Sequence, residues 1–498
     1  MINVTGKLKI KFIDHGGIMT QITIPAIQPI QTITLITIVY ALTWIIIIVH
    51  AIYYWTGIRG KYRKTEVIKT KLKEYPKTTI IIPVRNEETE TIIKLLETLS
   101  KQTYPKDKME IIIVSDDTEQ KFKEIMEKVM KSEHAKNMEI KIYRREEPRG
   151  FKAGALNYAL KKSSGKYIVV FDADTTPKET FLEETVTHME TEGLDALATK
   201  WSTKNISASP IAEAQAVSME FLTSIILKGK KILGKPIIIP GSGCIFKRET
   251  LIEVGGWNED SLAEDIDMSV RLIINGKKID YMDEVEVKVE VPSSYEDFKK
   301  QQSRWIYGTT QVLTKNITKI IKANIPLTWK IDVILHLLQY HAILANFAIA
   351  ILALLSIIIK TDLIAQATFL IPITMILSAL EAAAYMHTAK RLGLKTWRSI
   401  VMMGRCTALA TALAPQVLIQ NVKVMVGRKE KWEVTPKGVV AKKISSRKAA
   451  IIENVTTIMG VTAMLTLIIL GYKTSALCVL TLTLPYAYVA WKTNNHKW

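Results

Sequence analysis

The chain has 498 residues, of which 23% are charged and 48% hydrophobic. That length accommodates one domain of ordinary size together with several membrane spans. The charge content excludes a purely apolar transporter, and long apolar runs exclude a simple soluble protein. The formal net charge of +19 fits nucleic acid, an anionic membrane surface or phosphorylated ligands. No zinc-ligand spacing or basic helix interleaved with aromatics supports nucleic acid, and much of the charge flanks apolar runs. It is therefore read as facing lipid and phosphate. The three cysteines, Cys244, Cys406 and Cys478, are odd in number and far apart, so no disulfide framework is implied.

In chain order, residues 1–29 precede the first strong apolar run, 30–56, which is long enough for a hydrocarbon core roughly 30 Å thick. It lacks a basic leader and starts too late for a cleaved signal peptide. Lys61, Arg63 and Lys64 follow it, so its C-terminal end is expected on the cytoplasmic side and residues 1–29 outside. From 60 to 297 strands alternate with helices: TTIIIPV, EIIIVSD, EIKIYRR and YIVVFDAD are separated by helical patterns such as ETIIKLLETLSKQ and FKAGALNYALKKSS. This predicts an α/β domain with a mostly parallel sheet and ligands at the carboxyl ends of the strands.

Interfacial helices are expected over 298–328 and two spans over 330–388. Residues 398–447 form an apolar segment, holding Arg405, and a loop. Basic residues flank that segment on both sides (Lys390, Arg391, Lys395; Lys423, Arg428, Lys429), so a span would export one flank. An interfacial or re-entrant helix keeps both on one side. Two further spans occupy 449–491, which gives five spans and a cytoplasmic C-terminus. Gln339, His341, Asn346 and Glu381 fall inside apolar helices, where polar groups face a bundle interior or a wet cavity.

Five short constellations carry chemistry. Asp116 and Asp117 leave the strand EIIIVSD and suit hydrogen bonds to a nucleotide base or ribose, although turns use Asp as readily. Asp172 and Asp174, after YIVVF, are spaced to engage a hard divalent cation whose shell phosphates complete. Lys152, in RGFKAGALN, stands at a glycine-interrupted helix start, where an ammonium meets a diphosphate. Glu264 and Asp265 open the helix EDIDMSVRLII; a carboxylate there serves as a general base, and equally as an ordinary acidic helix start. In QQSRW, Gln301, Arg304 and Trp305 share one helix face. A guanidinium there holds a diphosphate and an indole stacks on a sugar ring.

These motifs in this order, followed by spans, resemble the membrane-integrated family 2 glycosyltransferases of the cellulose synthase and hyaluronan synthase type over roughly residues 78–440. The family pattern D, DxD, (T)ED, QxxRW falls on Asp116/Asp117, Asp172/Asp174, Glu264-Asp265 and Gln301/Arg304/Trp305. Trp432, Thr435 and Lys437 in KWEVTPKG resemble the family's gating loop, with Trp for the usual Phe. Three departures stand out: Ala263 replaces the usual Thr, Arg85 a usual Tyr, and Pro240–Cys244 differs in form from the family's acceptor-end segment.

The resemblance implies a GT-A-type, Rossmann-like cytoplasmic domain inserted between transmembrane helices of a multi-pass plasma-membrane protein. It implies a UDP- or GDP-sugar donor held by Asp116, Asp117, Lys152, Asp172 and Arg304. Asp174, with Asp172, would bind Mg²⁺ or Mn²⁺, and Asp265 would be the catalytic base. Gln301, Trp305 and Glu264 would bind a glycan or glycolipid acceptor. The expected reaction is inverting and processive, giving a β-linked polysaccharide coupled to translocation. The alternatives are single addition to a lipid acceptor and, as a minor one, a non-enzymatic scaffold or transporter.

Overall fold

The computed structural model describes residues 7–13, 19–25, 29–59, 71–428, 430 and 445–498. Trp432, Thr435 and Lys437 lie outside the described residues. A two-stranded antiparallel ribbon, β1 (Lys7–Ile13) and β2 (Met19–Pro25), precedes the long apolar helix α1 (Pro29–Arg59).

The domain is built on an eight-stranded sheet in the order β5-β4-β3-β6-β9-β8-β10-β7. Its strands are β3 (Thr78–Val84), β4 (Met109–Ser115), β5 (Glu139–Arg144), β6 (Tyr167–Val170), β7 (Thr176–Pro177), β8 (Ala196–Thr203), β9 (Cys244–Lys247) and β10 (Ile279–Val289). Strands β3, β4 and β6 are isoleucine- and valine-rich because both faces are covered. On one face Ile80, Ile111 and Val169 pack against α2 (Thr89–Ser100), α3 (Glu119–Lys131) and α5 (Phe181–Glu192). On the other, Ile81, Ile112 and Ile168 meet α4 (Phe151–Lys162), α8 (Arg248–Glu253) and α9 (Glu264–Ile274).

The sheet is mixed rather than mostly parallel. Strands β5, β4, β3 and β6 run parallel as the sequence predicts. Strand β9 then pairs antiparallel with both β6 and β8. β10 is parallel to β8, with a register shift between Met282 and Glu286. The inversion has a consequence for the site: Cys244 of β9 pairs with Val170 of β6, so the loop before β9 and the loop after β6 share one sheet edge.

Between β8 and β9 one helical run comprises α6 (Pro210–Phe221), a π-helical turn (Leu222–Leu227) and α7 (Lys228–Ile232). After β10 the long amphipathic α10 (Tyr295–Lys322) carries QQSRW. It leads to α11 (Leu327–Leu338), α12 (Ala342–Ile359), α13 (Ile371–Arg391), α14 (Thr396–Ala412), α15 (Ala414–Met425), α16 (Ile451–Ile469) and α17 (Lys473–Asn494).

Among the described residues six helical segments are long and apolar enough to cross a membrane: Ile30–Ile58, Leu327–Ile359, Ile364–Arg391, Thr396–Met425, Arg447–Ile469 and Lys473–Asn494. They flank the domain in the chain and expose large apolar side chains such as Ile38, Met375, Ile458 and Ile469, a surface suited to lipid. Five match the predicted spans. The sixth is the segment read from its basic flanks as interfacial. It breaks at Leu413, and hydrogen bonds tie its second half to α10, from Ser303 to Gln416 (3.2 Å) and from Thr310 to Asn421 (2.9 Å).

Candidate active site

The edge shared by β4, β6 and the loop before β9 opens into a cavity of about 610 Å³. Asp116, Lys152, Asp172, Glu264, Asp265 and Arg304 all line it, as do Gln301 and Trp305. Side chains separated by nearly 190 positions are thus gathered around one space.

Lys152 is the centre of the arrangement. Its Nζ lies 2.8 Å from Asp172 Oδ1 and 3.1 Å from Glu264 Oε1, and it donates to the carbonyl oxygen of Gly241 at 2.7 Å. Burial alone would depress this ammonium, but the Asp172 and Glu264 charges outweigh it and hold the group above the usual lysine range. The fourth member, Asp265, is pushed up from 3.8 to about 7. Burial is the main cause, the Glu264 carboxylate adds to it, and Lys152 opposes both. Asp265 sits in the first turn of α9, so the helix start that made it look ordinary is also what aims it into the cavity. A Cβ on Gly241 would come within 2.9 Å of Asp265 Oδ2 and 3.2 Å of Lys152 Nζ, so a side chain here would push both charged groups from their places. The Ala263 methyl faces Gly308 of α10, a small-on-small contact at the position where the resembling synthases carry Thr.

The two strand-end aspartates at 116 and 117 part company. Asp116 lines the cavity and is held in a two-pronged pair by Arg145, whose Nε and Nη2 donate at 2.7 and 2.5 Å. Asp117 is buried behind it, accepting from the Asn86 amide (2.6 Å) and the Ser115 hydroxyl (3.0 Å). Arg145 escaped the sequence reading. It also donates to the carbonyls of Arg149 and Phe151, and a Cβ on Gly154 would lie 2.5 Å from its Nη1. That Cβ would meet the Arg149 carbonyl oxygen at 2.0 Å, so the glycine in KAG makes room for this carbonyl and the guanidinium that donates to it, a role the motif does not advertise.

The DxD pair divides in the same way. Asp172 faces the cavity with a third of its side chain exposed. Asp174 is buried behind it, and its Oδ2 accepts the Glu290 amide at 3.1 Å. The Ser242 hydroxyl braces this turn, accepting from the Asp172 amide (3.0 Å) and lying 2.8 Å from Thr175 Oγ1. Among the described residues no three Asp, Glu, His or Cys side chains converge as a metal cage. A Mg²⁺-type cation needs only one or two carboxylates when phosphates complete its shell. The hard oxygen of Asp172 on the cavity wall fits that demand.

Arg304 and Trp305 enter from α10. Burial lowers the Arg304 guanidinium, against the pull of Glu264, Asp172 and Asp265. Farther in, Gln302 accepts from the Tyr340 hydroxyl at 2.9 Å, and the lining continues onto membrane helices through Tyr53, His336, Gln339 and Tyr385. Of the four polar residues expected to face a bundle interior or cavity, Gln339 lines this one and Glu381 pairs with His50 at 3.1 Å.

Comparison with known proteins gives this geometry a context. Residues 167–380 match the family model described as glycosyl transferase family group 2. A "probable glycosyltransferase" of Sulfolobus acidocaldarius is 30% identical over 419 residues, covering 84% of this chain and 89% of that one. A "probable glucomannan 4-beta-mannosyltransferase 14" of Arabidopsis thaliana is 30% identical over 277 residues, 54% of this chain; the chain spans about half (51%) of that relative's length. Among solved structures, a mannosyltransferase from Pyrobaculum calidifontis in complex with GDP-Man and Mn²⁺ aligns with a TM-score of 0.51 at 21% identity, covering 79% of this chain and all of that one. That likeness identifies the sheet as a GT-A fold. A carboxylate-lined cavity at the strand ends and a relative matched along nearly its whole length converge, and the chain belongs to the family 2 glycosyltransferases.

Proposed function

We propose that this glycosyltransferase builds a β-linked polysaccharide processively at the cytoplasmic face of the plasma membrane and feeds it into its own membrane helices. One observation carries the reading: a single cavity runs from Asp265 and Lys152 to α1, α11 and α13. An acceptor end held at Trp305 would lie at the mouth of that path. The mannosyltransferase name of the Arabidopsis relative, with the GDP-Man bound to the Pyrobaculum enzyme, makes GDP-mannose the first donor to try.

In the proposed reaction the nucleoside lies against Asp116, steadied by Arg145, with Asp117 supporting the strand end. Lys152 and Arg304 neutralise the diphosphate as it departs. Asp172, backed by Asp174, would hold a divalent cation, Mg²⁺ or Mn²⁺, which adds positive charge to the leaving group when bound. Asp265 accepts the proton of the acceptor hydroxyl. That oxygen attacks the anomeric carbon from the side opposite the diphosphate, so an α-linked donor gives a β-linked product. Gln301 and Trp305 orient the acceptor sugar, and Glu264 holds Lys152 in place. The gating-like residues Trp432, Thr435 and Lys437 would close over the nucleotide.

The domain's placement at the cytoplasmic face rests on Lys61, Arg63 and Lys64 beyond the first span. Product length decides between polymerisation and single addition. Protein in nanodiscs, given one labelled donor, should yield a ladder of lengthening β-linked chains. A sole product one sugar longer than a lipid acceptor would favour single addition.

A further inference from the structure

The run from α6 through the π turn to α7 forms one wall of the cavity, to which Gln215, Ser218, Phe221 and Ile226 contribute. The same run carries three buried charges with no part in the chemistry above: Glu213 (5% exposed), Glu220 (5%) and Lys230 (2%). Each is paired with a segment beyond the sheet domain. Glu213 accepts from Arg398 of α14 at 2.6 and 3.0 Å, with Arg405 at 3.5 Å. Glu220 meets Arg391 at the end of α13 (3.3 Å), Lys200 of β8 (3.1 Å) and the Ser224 hydroxyl in the π turn. Lys230 pairs with Asp332 of α11 at 2.7 Å, and Asp332 also accepts from Tyr53 of α1.

Apolar packing alone can hold a helix, whereas burying an ion costs several kcal/mol before its partner compensates. What the pairs add is register. Glu213 and Glu220 stand two turns apart on one face, so together they fix both the rotation and the height of α6. The glycines bring the wall closer still: a Cβ on Gly229 would lie 2.6 Å from the Cβ and carbonyl oxygen of Tyr53. π turns recur at functional sites, and this one lies between the two clamped ends. The basic flank of the 396–425 segment is thus partly committed to this wall rather than to lipid.

We propose that Glu213 and Glu220 are positioning residues for the acceptor: they set the α6 wall against the membrane helices so that the acceptor hydroxyl meets Asp265. The inference rests on the glycosyl-transfer reading above. The donor elements β4, β6 and α4 lie outside these clamps, so loosening the wall displaces the acceptor and spares the nucleotide. Water then competes better for the activated sugar.

The test uses the full chain in nanodiscs with GDP-mannose and a mannooligosaccharide, comparing wild type with Glu213→Gln, Glu220→Gln, Arg398→Gln and Arg398→Lys. Sugar transferred and sugar hydrolysed are counted separately, and GDP affinity is measured by calorimetry. The glutamine variants should lose about 10- to 100-fold in kcat/KM for transfer. Their hydrolysis-to-transfer ratio should rise and their GDP affinity hold, while Arg398→Lys restores transfer. A folded variant whose transfer and hydrolysis fall together, or whose ratio stays at the wild-type value, overturns the inference. If the glutamate variants do not fold, Arg398→Gln decides, because that side chain is 64% exposed and Arg405 still faces Glu213 at 3.5 Å after its loss. A wild type that consumes neither GDP-mannose nor any other UDP- or GDP-hexose overturns the glycosyl-transfer reading too; an active wild type with an unshifted ratio overturns this inference alone.

Discussion

Replacing Asp265 by Asn removes the proposed base while keeping the side chain's size and its place at the start of α9. The structure sets both a magnitude and a pH signature. With the carboxyl lifted to about 7, about a tenth is ionised at pH 6 and about nine-tenths at pH 8, so wild-type kcat/KM should rise about tenfold across that window. A positioned general base contributes about 10²- to 10⁴-fold, so Asp265→Asn should lose that much activity and with it the acid limb. Stability runs the other way. The folded state keeps the Asp265 proton from pH 3.8 up to about 7, so stability from this group is present below 3.8 and lost as pH rises through 7. The Asn variant should therefore show no fall in Tm at pH 8. The assay is acceptor-dependent nucleoside diphosphate release at pH 5.5–9 with the folded state checked by thermal shift. An Asn variant retaining wild-type turnover, or an unchanged acid limb, would refute the assignment.

Lys152→Gln removes the charge that opposes the upward push on Asp265; the acid limb of kcat/KM should move to higher pH and donor KM should rise, both readable in a pH–rate series. Arg145→Ala leaves Asp116 buried without its partner, which should cost about 3–5 kcal/mol of stability, seen as a lowered Tm together with weaker nucleotide binding. Gly241→Ala should cut transfer sharply with little change in Tm, since the added methyl would crowd Asp265 and Lys152 rather than the core. Stripping divalent cations with EDTA should stop transfer, and Mn²⁺ or Mg²⁺ should restore it, in the same release assay.

The parts of the fold that were legible are those with local causes. TTIIIPV and MEIIIVS are buried on both faces, so their apolar runs are unbroken and announce parallel strands. Strands β8 and β10, ALATKWST and IDYMDEVEVKV, mix charges into the pattern and did not stand out, and the antiparallel insertion of β9 depends on pairing that no local period encodes. The site shows the same division. Asp116, Asp172 and Asp265 follow strands or open a helix, positions where an acidic residue is already conspicuous. Arg145 acts on Asp116 from 29 residues away, and Gly241 contributes a carbonyl and an absence of side chain, neither of which has a sequence signature. The basic flanks of 398–426 point by themselves only to an interfacial segment, whereas Arg391, Arg398 and Arg405 reach Glu220 and Glu213, partners whose burial only the fold reveals.

The most direct measurement is a donor panel: purified protein in nanodiscs with each UDP- and GDP-hexose, scoring nucleoside diphosphate released against sugar incorporated into product. One donor should be consumed with release and incorporation matched mole for mole, and Asp265→Asn should do neither. Consumption of no donor in the panel, or undiminished incorporation by the Asn variant, would contradict the claim that transfer occurs in the cavity gathered around Lys152.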